Sequence, residues 1–168
     1  VNAAAEMIKI RYCLIPYLYS EYLRAALNDE MMFKPLSFDL PDDDMAKQVD
    51  DQLLLGNELM IAPVYKQNAK GRYVYLPEEM MAVRMKSCKN IKTEILSKGH
   101  HYVDSELDEL VFFIRKDKAI PFGKPVKNTS EIDLSDLKLI GYEGCHYEMY
   151  SDDGFSPVIE DSLKKTIL

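Results

Sequence analysis

The first stretch of the chain is apolar at most positions, and its few polar residues fall close to one helical stripe. Glu6, Lys9, Ser20 and Arg24 mark this stripe. Asn2 is a suitable N-cap, and the three alanines that follow it favour a helix. The pattern therefore predicts a helix from Asn2 to about Leu27 that is covered on several sides. Pro16 inside it predicts a kink or a local break.

The next segment mixes strand-like and helix-like patterns. Residues 31–38 predict a short buried strand, which ends at the acidic turn of residues 41–44. Residues 44–55 predict a second short helix, with Asp44 as its N-cap and Gly56 after its end. The first 56 residues therefore have α/β character.

Beyond Gly56 the pattern becomes that of β-strands. The continuous apolar run of residues 59–64 is typical of a buried strand. Further strands are predicted at residues 72–76, 82–86, 93–96, 100–103, 110–114 and 119–121. Short strands at this spacing indicate an antiparallel sandwich.

The last part of the chain begins with a segment rich in Pro, Lys, Asn, Thr and Ser, residues 123–135, interpreted as a linker or a long loop. Residues 137–142 and 145–150 predict two strands that pair around Glu143 and Gly144. A tight turn follows at residues 151–154, and residues 165–168 predict one more strand.

Composition narrows the classes of protein. The 168 residues suffice for one ordinary domain or two small units, and 47% hydrophobic residues indicate a globular chain. With 28 acidic and 21 basic residues the net charge is -7, which disfavours nucleic acid as a partner. No apolar run approaches the roughly 20 residues that span a bilayer, so no membrane association is predicted. The N-terminus resembles no signal peptide and lacks an initiator Met, which fits a fragment.

The cysteines are Cys13, Cys88 and Cys145. Their odd number and wide spacing argue against a disulfide framework and against a zinc site, and reduced cysteines favour a cytoplasmic location. Cys88 lies near Lys86 and Lys89 and is interpreted as an ordinary cysteine rather than a reactive one.

The remaining polar clusters predict no site. Neighbouring side chains diverge in a strand, so His100 and His101 are not expected to bind one metal ion. Asp152 and Asp153 are typical of a turn in which the aspartate side chains cap backbone N–H groups. Residues 42–44 are typical of a solvated run of charges. The sequence contains neither a glycine-rich phosphate loop nor a nucleophile elbow. No catalytic, cofactor-binding or metal-binding residue is therefore assigned, and no cofactor is predicted.

Several short segments stand out because they follow one another in a single order across nearly the whole chain. They read RYCLIPYLY at 11–19, KPL at 34–36, DQLLLGNELMIAPV at 51–64, VYLP at 74–77, FIRKDKAIP at 113–121 and YSDDG at 150–154. Together they resemble signatures of glycoside hydrolase family 31, the α-glucosidase-like enzymes. Two departures are Lys34, where that family has Arg, and Asp117, where it has Gly.

The resemblance implies an architecture that is mixed and mainly β. An antiparallel β-sandwich would follow an α/β remnant of a (β/α)8 barrel. Residues 1–56 would form the end of the catalytic barrel, including its last strand at 32–38. Residues 57–124 would form the proximal C-terminal β-sandwich, and residues 125–168 a distal β domain or its start.

The resemblance also implies a function in carbohydrate metabolism. The chain would be the C-terminal portion of a retaining α-glycosidase and would brace the catalytic barrel. The family's two catalytic aspartates lie upstream of the helix that contains Arg11, so none is transferred to this chain, which is expected to be inactive alone.

The implied partners are the missing N-terminal catalytic barrel and, for the parent enzyme, an α-linked sugar. A homodimer would be one way to cover the apolar first helix. Two alternatives remain open from the residues themselves. One is a stand-alone sandwich whose tyrosines, 11 in the chain, bind carbohydrate; the other is a purely structural domain.

Overall fold

The computed structural model describes residues 2–156 and 158–168 of the chain. Every strand pairing in this part is antiparallel, and the fold is mainly β, as predicted. The elements in chain order are α1 Asn2–Asn28, β1 Phe33–Pro35, α2 Leu36–Asp39, β2 Leu53–Leu55, β3 Leu59–Ile61, β4 Gly71–Leu76, β5 Met80–Ser87, β6 Asn90–Leu96, β7 Gly99–Asp104, β8 Leu110–Arg115, β9 Ala119–Phe122, β10 Lys138–Gly141, β11 Glu148–Ser151, α3 Ile159–Ser162 and β12 Lys164–Ile167.

Six strands form the central sheet, in the order β1-β2-β3-β8-β5-β6. The pair of β4 with β7, the pair of β10 with β9 and the pair of β11 with β12 lie outside this sheet. The sheet has a hydrophobic cluster on each of its faces, which explains why its strands are apolar at consecutive positions rather than at alternate ones.

Alternate residues of the inner strands β3 and β8 point to opposite clusters. Phe112 and Ile114 of β8 join the cluster that contains helix α1, while Phe113 between them joins the cluster beneath the paired strands β4 and β7. Leu59 and Met60 of β3 divide in the same way. The structure is therefore layered, with α1 and β9 on one side of the sheet and the β4–β7 pair on the other.

Helix α1 is continuous through Pro16, so the predicted local break does not occur. A proline removes one backbone hydrogen bond, but residues on both sides of Pro16 are held against the sheet. The residues of α1 that join this cluster are Ile10, Cys13, Leu14 and Tyr17. Packing of this face keeps the helix intact.

The predicted helix over residues 44–55 is wrong. A single 3-10 turn occupies Ala46–Gln48, and the last residues of that segment form strand β2. β2 pairs with β1 on one side and with β3 on the other, so backbone pairing with distant segments overrides the local helical pattern. The predicted strand over 31–38 is shorter than expected, because α2 begins at Leu36.

The predicted pairing of residues 137–142 with 145–150 is also wrong. β10 pairs with β9, and β11 pairs with β12. The backbone N–H of Tyr142 donates to the carbonyl of Lys118 at 3.0 Å, which continues the β10–β9 contact. Both strands thus find partners outside the predicted hairpin, which a local pattern does not reveal.

The predicted division into three units places one boundary, after residue 56, in the turn that joins the paired strands β2 and β3. The second boundary, after residue 124, lies in the connection between the paired strands β9 and β10. The division itself stays a prediction. Among the residues that the structure describes, no helix has both the length and the apolar character needed to cross a membrane.

Candidate functional site

A network of buried polar side chains joins α1, the turn between β2 and β3, and strand β11. Ser20 and Glu21 of α1 are 0% and 2% exposed, and Glu58 of the turn is 6% exposed. Buried carboxylates are uncommon in protein interiors unless they are paired, so the partners of Glu21 and Glu58 matter for stability.

The hydroxyl of Tyr147 connects the C-terminal segment to α1. It donates to Glu21 Oε1 at 2.6 Å and lies 2.9 Å from Ser20 Oγ. Ser20 Oγ also accepts from the backbone N–H of Tyr150 at 2.8 Å. These bonds hold the segment around β11 against the middle of the helix.

A second set of bonds connects α1 to the turn between β2 and β3. The Tyr17 hydroxyl donates to the carbonyl of Leu55 at 2.5 Å and lies 3.3 Å from Glu58 Oε2. The backbone N–H of Asn57 donates to Glu21 Oε2 at 3.2 Å. Glu21 therefore receives hydrogen bonds from two separate parts of the chain.

Arg24 supplies the positive charge of the network. Its Nη1 lies 3.2 Å from Glu21 Oε1 and 3.6 Å from Glu58 Oε1, and its Nη2 donates to the carbonyl of Glu148 at 2.8 Å. The guanidinium also lies over the ring of Tyr147, 5.5 Å from its centroid. One guanidinium thus faces two buried carboxylates.

This imbalance perturbs the titration of Glu21. Burial, and then the nearby carboxylate of Glu58, raise the pKa of Glu21 to about 7, although the bond from Tyr147 and the charge of Arg24 act in the opposite direction. Burial also raises the pKa of Tyr147. A carboxyl group that titrates near neutrality is a candidate acid or base, but Glu21 is too enclosed to touch a substrate. Its position makes it a link between segments.

Gly56 gives Glu21 its space. Its φ is +66°, in the left-handed region that favours glycine, and a Cβ built there would lie 2.3 Å from Glu21 Oε2. The residue at this turn must therefore lack a side chain for two independent reasons.

The residues that the sequence singled out do not converge on one site. His100 packs on Tyr75 with ring centroids 5.0 Å apart, whereas His101 Nε2 lies 2.7 Å from the carbonyl of Ser97. Asp152 accepts from the Tyr19 hydroxyl at 2.8 Å, and Asp153 accepts from backbone N–H groups of its own turn.

Asp43, in the acidic run of residues 42–44, makes several structural contacts. Asp43 accepts from the Tyr75 hydroxyl at 2.7 Å and pairs with Lys98 at 3.0 Å, and these bonds lower the pKa of Asp43 to about 2. Asp43 also accepts from the backbone N–H groups of Met45 and Ala46, which is the capping role expected of Asp44. Across residues 2–156 and 158–168, no three His, Cys, Asp or Glu side chains cluster as metal ligands would.

Two of the departures from the family signatures, Lys34 and Asp117, have visible consequences; a third is the stretch 78–82, where that family has W-Y-D. Lys34 Nζ lies 2.9 Å from Asp39 Oδ1 and 2.9 Å from Asn57 Oδ1, so it makes two separate contacts as a point charge. Asp117 adopts φ +54°, a conformation that glycine tolerates better.

Sequence reasoning missed two arrangements. Cys13 and Cys88 lie far apart in the chain, yet their Sγ atoms are 2.9 Å apart. The buried network was missed as well, although Glu21 and Arg24 gave a signal. They form an opposite-charge pair three residues apart in a mostly apolar helix.

A groove with a volume of about 1220 Å³ lies close to exposed tyrosines. Tyr65 lines it and is 65% exposed. Tyr73 of β4 and Tyr102 of β7 lie nearby on these two paired strands, with ring centroids 5.2 Å apart. The Arg72–Asp51 ion pair lies beside these rings, at 2.5 Å between Nη2 and Oδ1.

Comparisons with known proteins cover nearly the whole chain. Alpha-glucosidase 2 of Bacillus thermoamyloliquefaciens is 28% identical over 154 residues, which is 89% of this chain and 19% of that protein. Alpha-xylosidase of Saccharolobus solfataricus is 28% identical over 155 residues, 90% of this chain and 20% of that protein. The chain thus spans about a fifth of the length of these relatives.

A solved structure gives the same result. The GH31 dextranase FjDex31A of Flavobacterium johnsoniae matches with a TM-score of 0.82 and 27% identity, over 99% of this chain and 21% of its own. Residues 29–120 match the profile described as the glycosyl hydrolase family 31 C-terminal domain. That profile covers more than half of the chain, and the resemblance seen in the short segments is confirmed. The chain belongs to glycosyl hydrolase family 31 and corresponds to the C-terminal domain of its glycosidases.

Proposed function

We propose that this chain is the C-terminal part of a retaining α-glycosidase and braces the catalytic barrel of that enzyme. The observation that carries the proposal is the match of nearly the whole chain to relatives about five times its length. The first relatives are named as an α-glucosidase and an α-xylosidase, so an α-linked sugar is the proposed substrate class of the parent enzyme.

Exposed apolar side chains support a bracing role. On the β1 and α2 side, the large apolar side chains that are about half exposed are Met31, Phe33 and Phe38. On α1, Ile8 and Tyr22 are 56% and 54% exposed. Apolar surface of this kind is typical of a contact with another part of a protein.

We propose that the isolated chain does not hydrolyse glycosides. Retaining hydrolysis needs two carboxyl groups about 5 Å apart that both reach the sugar. The carboxylates of Glu21 and Glu58 share Arg24, and both are nearly inaccessible to solvent. Such a pair can link segments, but it cannot attack an anomeric carbon.

The test is a hydrolysis assay on the purified 168-residue chain with chromogenic α-glucoside and α-xyloside. The expected result is no turnover above buffer, while the longer protein encoded by the same gene is active. Turnover by the isolated chain that is lost in a Glu21→Gln variant would overturn this assignment. An inactive longer protein would refute the proposed parent activity.

A second candidate function is carbohydrate binding by the tyrosines of the paired strands β4 and β7. Tyr73 and Tyr102 are 72% and 57% exposed, and aromatic rings flanked by charged groups suit the apolar faces and hydroxyls of sugars. Calorimetric titration with maltotetraose tests this function. Binding that is lost in Tyr73→Ala but kept in Tyr22→Ala, a variant of an exposed tyrosine on α1, would support it.

The remaining expectations keep the status of proposals. A homodimer through the exposed face of α1 is tested by light scattering after size-exclusion chromatography, and a clean monomer would refute it. The division at residues 56 and 124 is tested by limited proteolysis: cutting is expected in the mostly exposed stretch after residue 124, and a buried turn at residue 56 that resists cutting would count against the first boundary. The cytoplasmic location rests on unpaired cysteines and is tested by fractionation.

A further inference from the structure

Two cysteines that are distant in the sequence meet between α1 and the β5–β6 hairpin of the central sheet. Cys13 lies on α1 and is fully buried, whereas Cys88 lies in the turn between β5 and β6 and is partly exposed. The Cys13 thiol donates to Cys88 Sγ at 2.9 Å, and neither sulfur is in a disulfide. The two positions are 75 residues apart in the chain.

We propose that Cys13 and Cys88 form a reversible disulfide, with hydrogen peroxide or a small-molecule disulfide as the oxidant. A disulfide bond is about 2.05 Å long, so the sulfurs must approach each other by roughly 0.9 Å. Cys88 lies in a short turn, where such a shift is local. Cys13 lies on a helix packed into the core and is the fixed partner.

The difference in exposure sets the order of the chemistry. Peroxide reaches Cys88, whose sulfur attacks one peroxide oxygen; the O–O bond breaks and the leaving hydroxide takes a proton to become water. The product is a sulfenic acid on Cys88. The Cys13 sulfur then attacks the Cys88 sulfur, the S–O bond breaks, and the departing hydroxide takes the Cys13 proton. Two thiols lose two electrons, one peroxide gains them, and two waters form.

A small-molecule disulfide gives the same product by exchange. Cys88 first forms a mixed disulfide and releases one small thiol; Cys13 then displaces the second. Burial raises the pKa of Cys13, which makes it the less reactive thiol, so Cys88 reacts with the oxidant first. The bond would join α1 covalently to the β5–β6 hairpin.

Cys145 provides the matched control. It lies in the connection between β10 and β11, and its backbone N–H donates to the carbonyl of Tyr142. Like Cys88 it is partly exposed, but no other thiol of the described residues forms a hydrogen bond with it. Exposure alone would oxidise both cysteines equally, whereas the proposal singles out Cys88.

The experiment treats the 168-residue chain with peroxide or oxidised glutathione and maps it by mass spectrometry without reduction. We expect one peptide pair that joins Cys13 to Cys88 with the mass of two hydrogens lost, and its reversal by dithiothreitol. The bond closes a long loop and should raise the melting temperature by about 5 to 15 °C.

The variants separate the outcomes. Cys145→Ser should keep the crosslink, and Cys88→Ser should abolish both the crosslink and the rise in melting temperature. Because Cys13 is buried, Cys88→Ser is the variant that matters if Cys13→Ser fails to fold. Stable glutathionylation or sulfinic acid on Cys88 without a bond to Cys13 would overturn the proposal, as would a crosslink that contains Cys145.

Discussion

Gly56→Ala tests whether the close approach of the β2–β3 turn to Glu21 contributes to stability. Alanine at φ +66° costs about 1 kcal/mol, because a Cβ is strained in the left-handed region. The new methyl group would also lie 2.3 to 2.6 Å from side-chain atoms of Glu21, so the carboxylate must move.

Moving that carboxylate breaks the bonds from the Tyr147 hydroxyl and the Asn57 N–H. Buried hydrogen bonds to a charged group contribute about 1.5–3 kcal/mol each, and partial relaxation recovers some of this. We therefore expect Gly56→Ala to lower the free energy of unfolding by about 3–5 kcal/mol.

Gly144→Ala is the matched control. Its φ is +77°, and nothing lies within 4 Å of a Cβ built there, so only the backbone strain of about 1 kcal/mol applies. Denaturant unfolding followed by circular dichroism measures both variants. Equal losses for the two variants would refute the role of Glu21 in this turn.

A double-mutant cycle with Glu21→Ala makes the test stricter. In that background the methyl group meets no carboxylate, so Gly56→Ala should cost only about 1 kcal/mol. A cost that is unchanged by Glu21→Ala would show that the strain lies in the backbone alone.

Three further predictions concern other parts of the chain. The pKa of Glu21 is higher in the folded chain than in the unfolded chain. The contribution of Glu21 to the free energy of unfolding is therefore full below the unfolded pKa and falls as the pH rises through about 7. From about pH 5.5 to about pH 8 the loss should be about 2 kcal/mol, and chemical unfolding of Glu21→Gln should lack this component. Asp117→Gly should raise the free energy of unfolding by about 0.5–1 kcal/mol and Asp117→Ala should not, since φ is +54° there; equal melting temperatures would contradict this. Met60→Ala, at a fully buried position of β3, should lower the free energy of unfolding by about 2–5 kcal/mol, as measured with denaturant. Leu53→Ala, at a position that is 36% exposed, should lower it clearly less. The reverse order would show that β3 does not lie in the core.

The strands from β3 to β9 could be predicted because each of them is locally consistent. Apolar and β-branched runs bounded by turns, such as residues 72–76 and 110–114, fixed these elements to within a few residues. The helix α1 was equally clear, because its apolar positions and the three alanines after Asn2 agree with one another.

The strand β2 could not be predicted in the same way. Its residues, at 53–55, are all leucines, which suit a helix as well as a strand. Only the backbone partners that β1 and β3 provide decide between the two. The pairing of β10 with β9 and of β11 with β12 was hidden for the same reason.

Candidate functional residues were also predicted only where the pattern is local. The sequence suggested no active site, and the neighbours His100 and His101 make separate contacts, one with Tyr75 and the other with Ser97. The pairing of Cys13 with Cys88 and the network around Glu21 join segments far apart in the chain. Local periodicity carries no information about such contacts.

The sequence by itself determined the family, the mainly β character and the location of most elements, because these depend on ordered motifs and on local periodicity. The tertiary structure alone decided the strand order of the central sheet, which strands pair outside that sheet, and the burial of Glu21 beside Arg24. It also decided the 2.9 Å approach of Cys13 to Cys88. These features depend on which distant surfaces meet in the core, and that outcome follows from packing the whole chain at once.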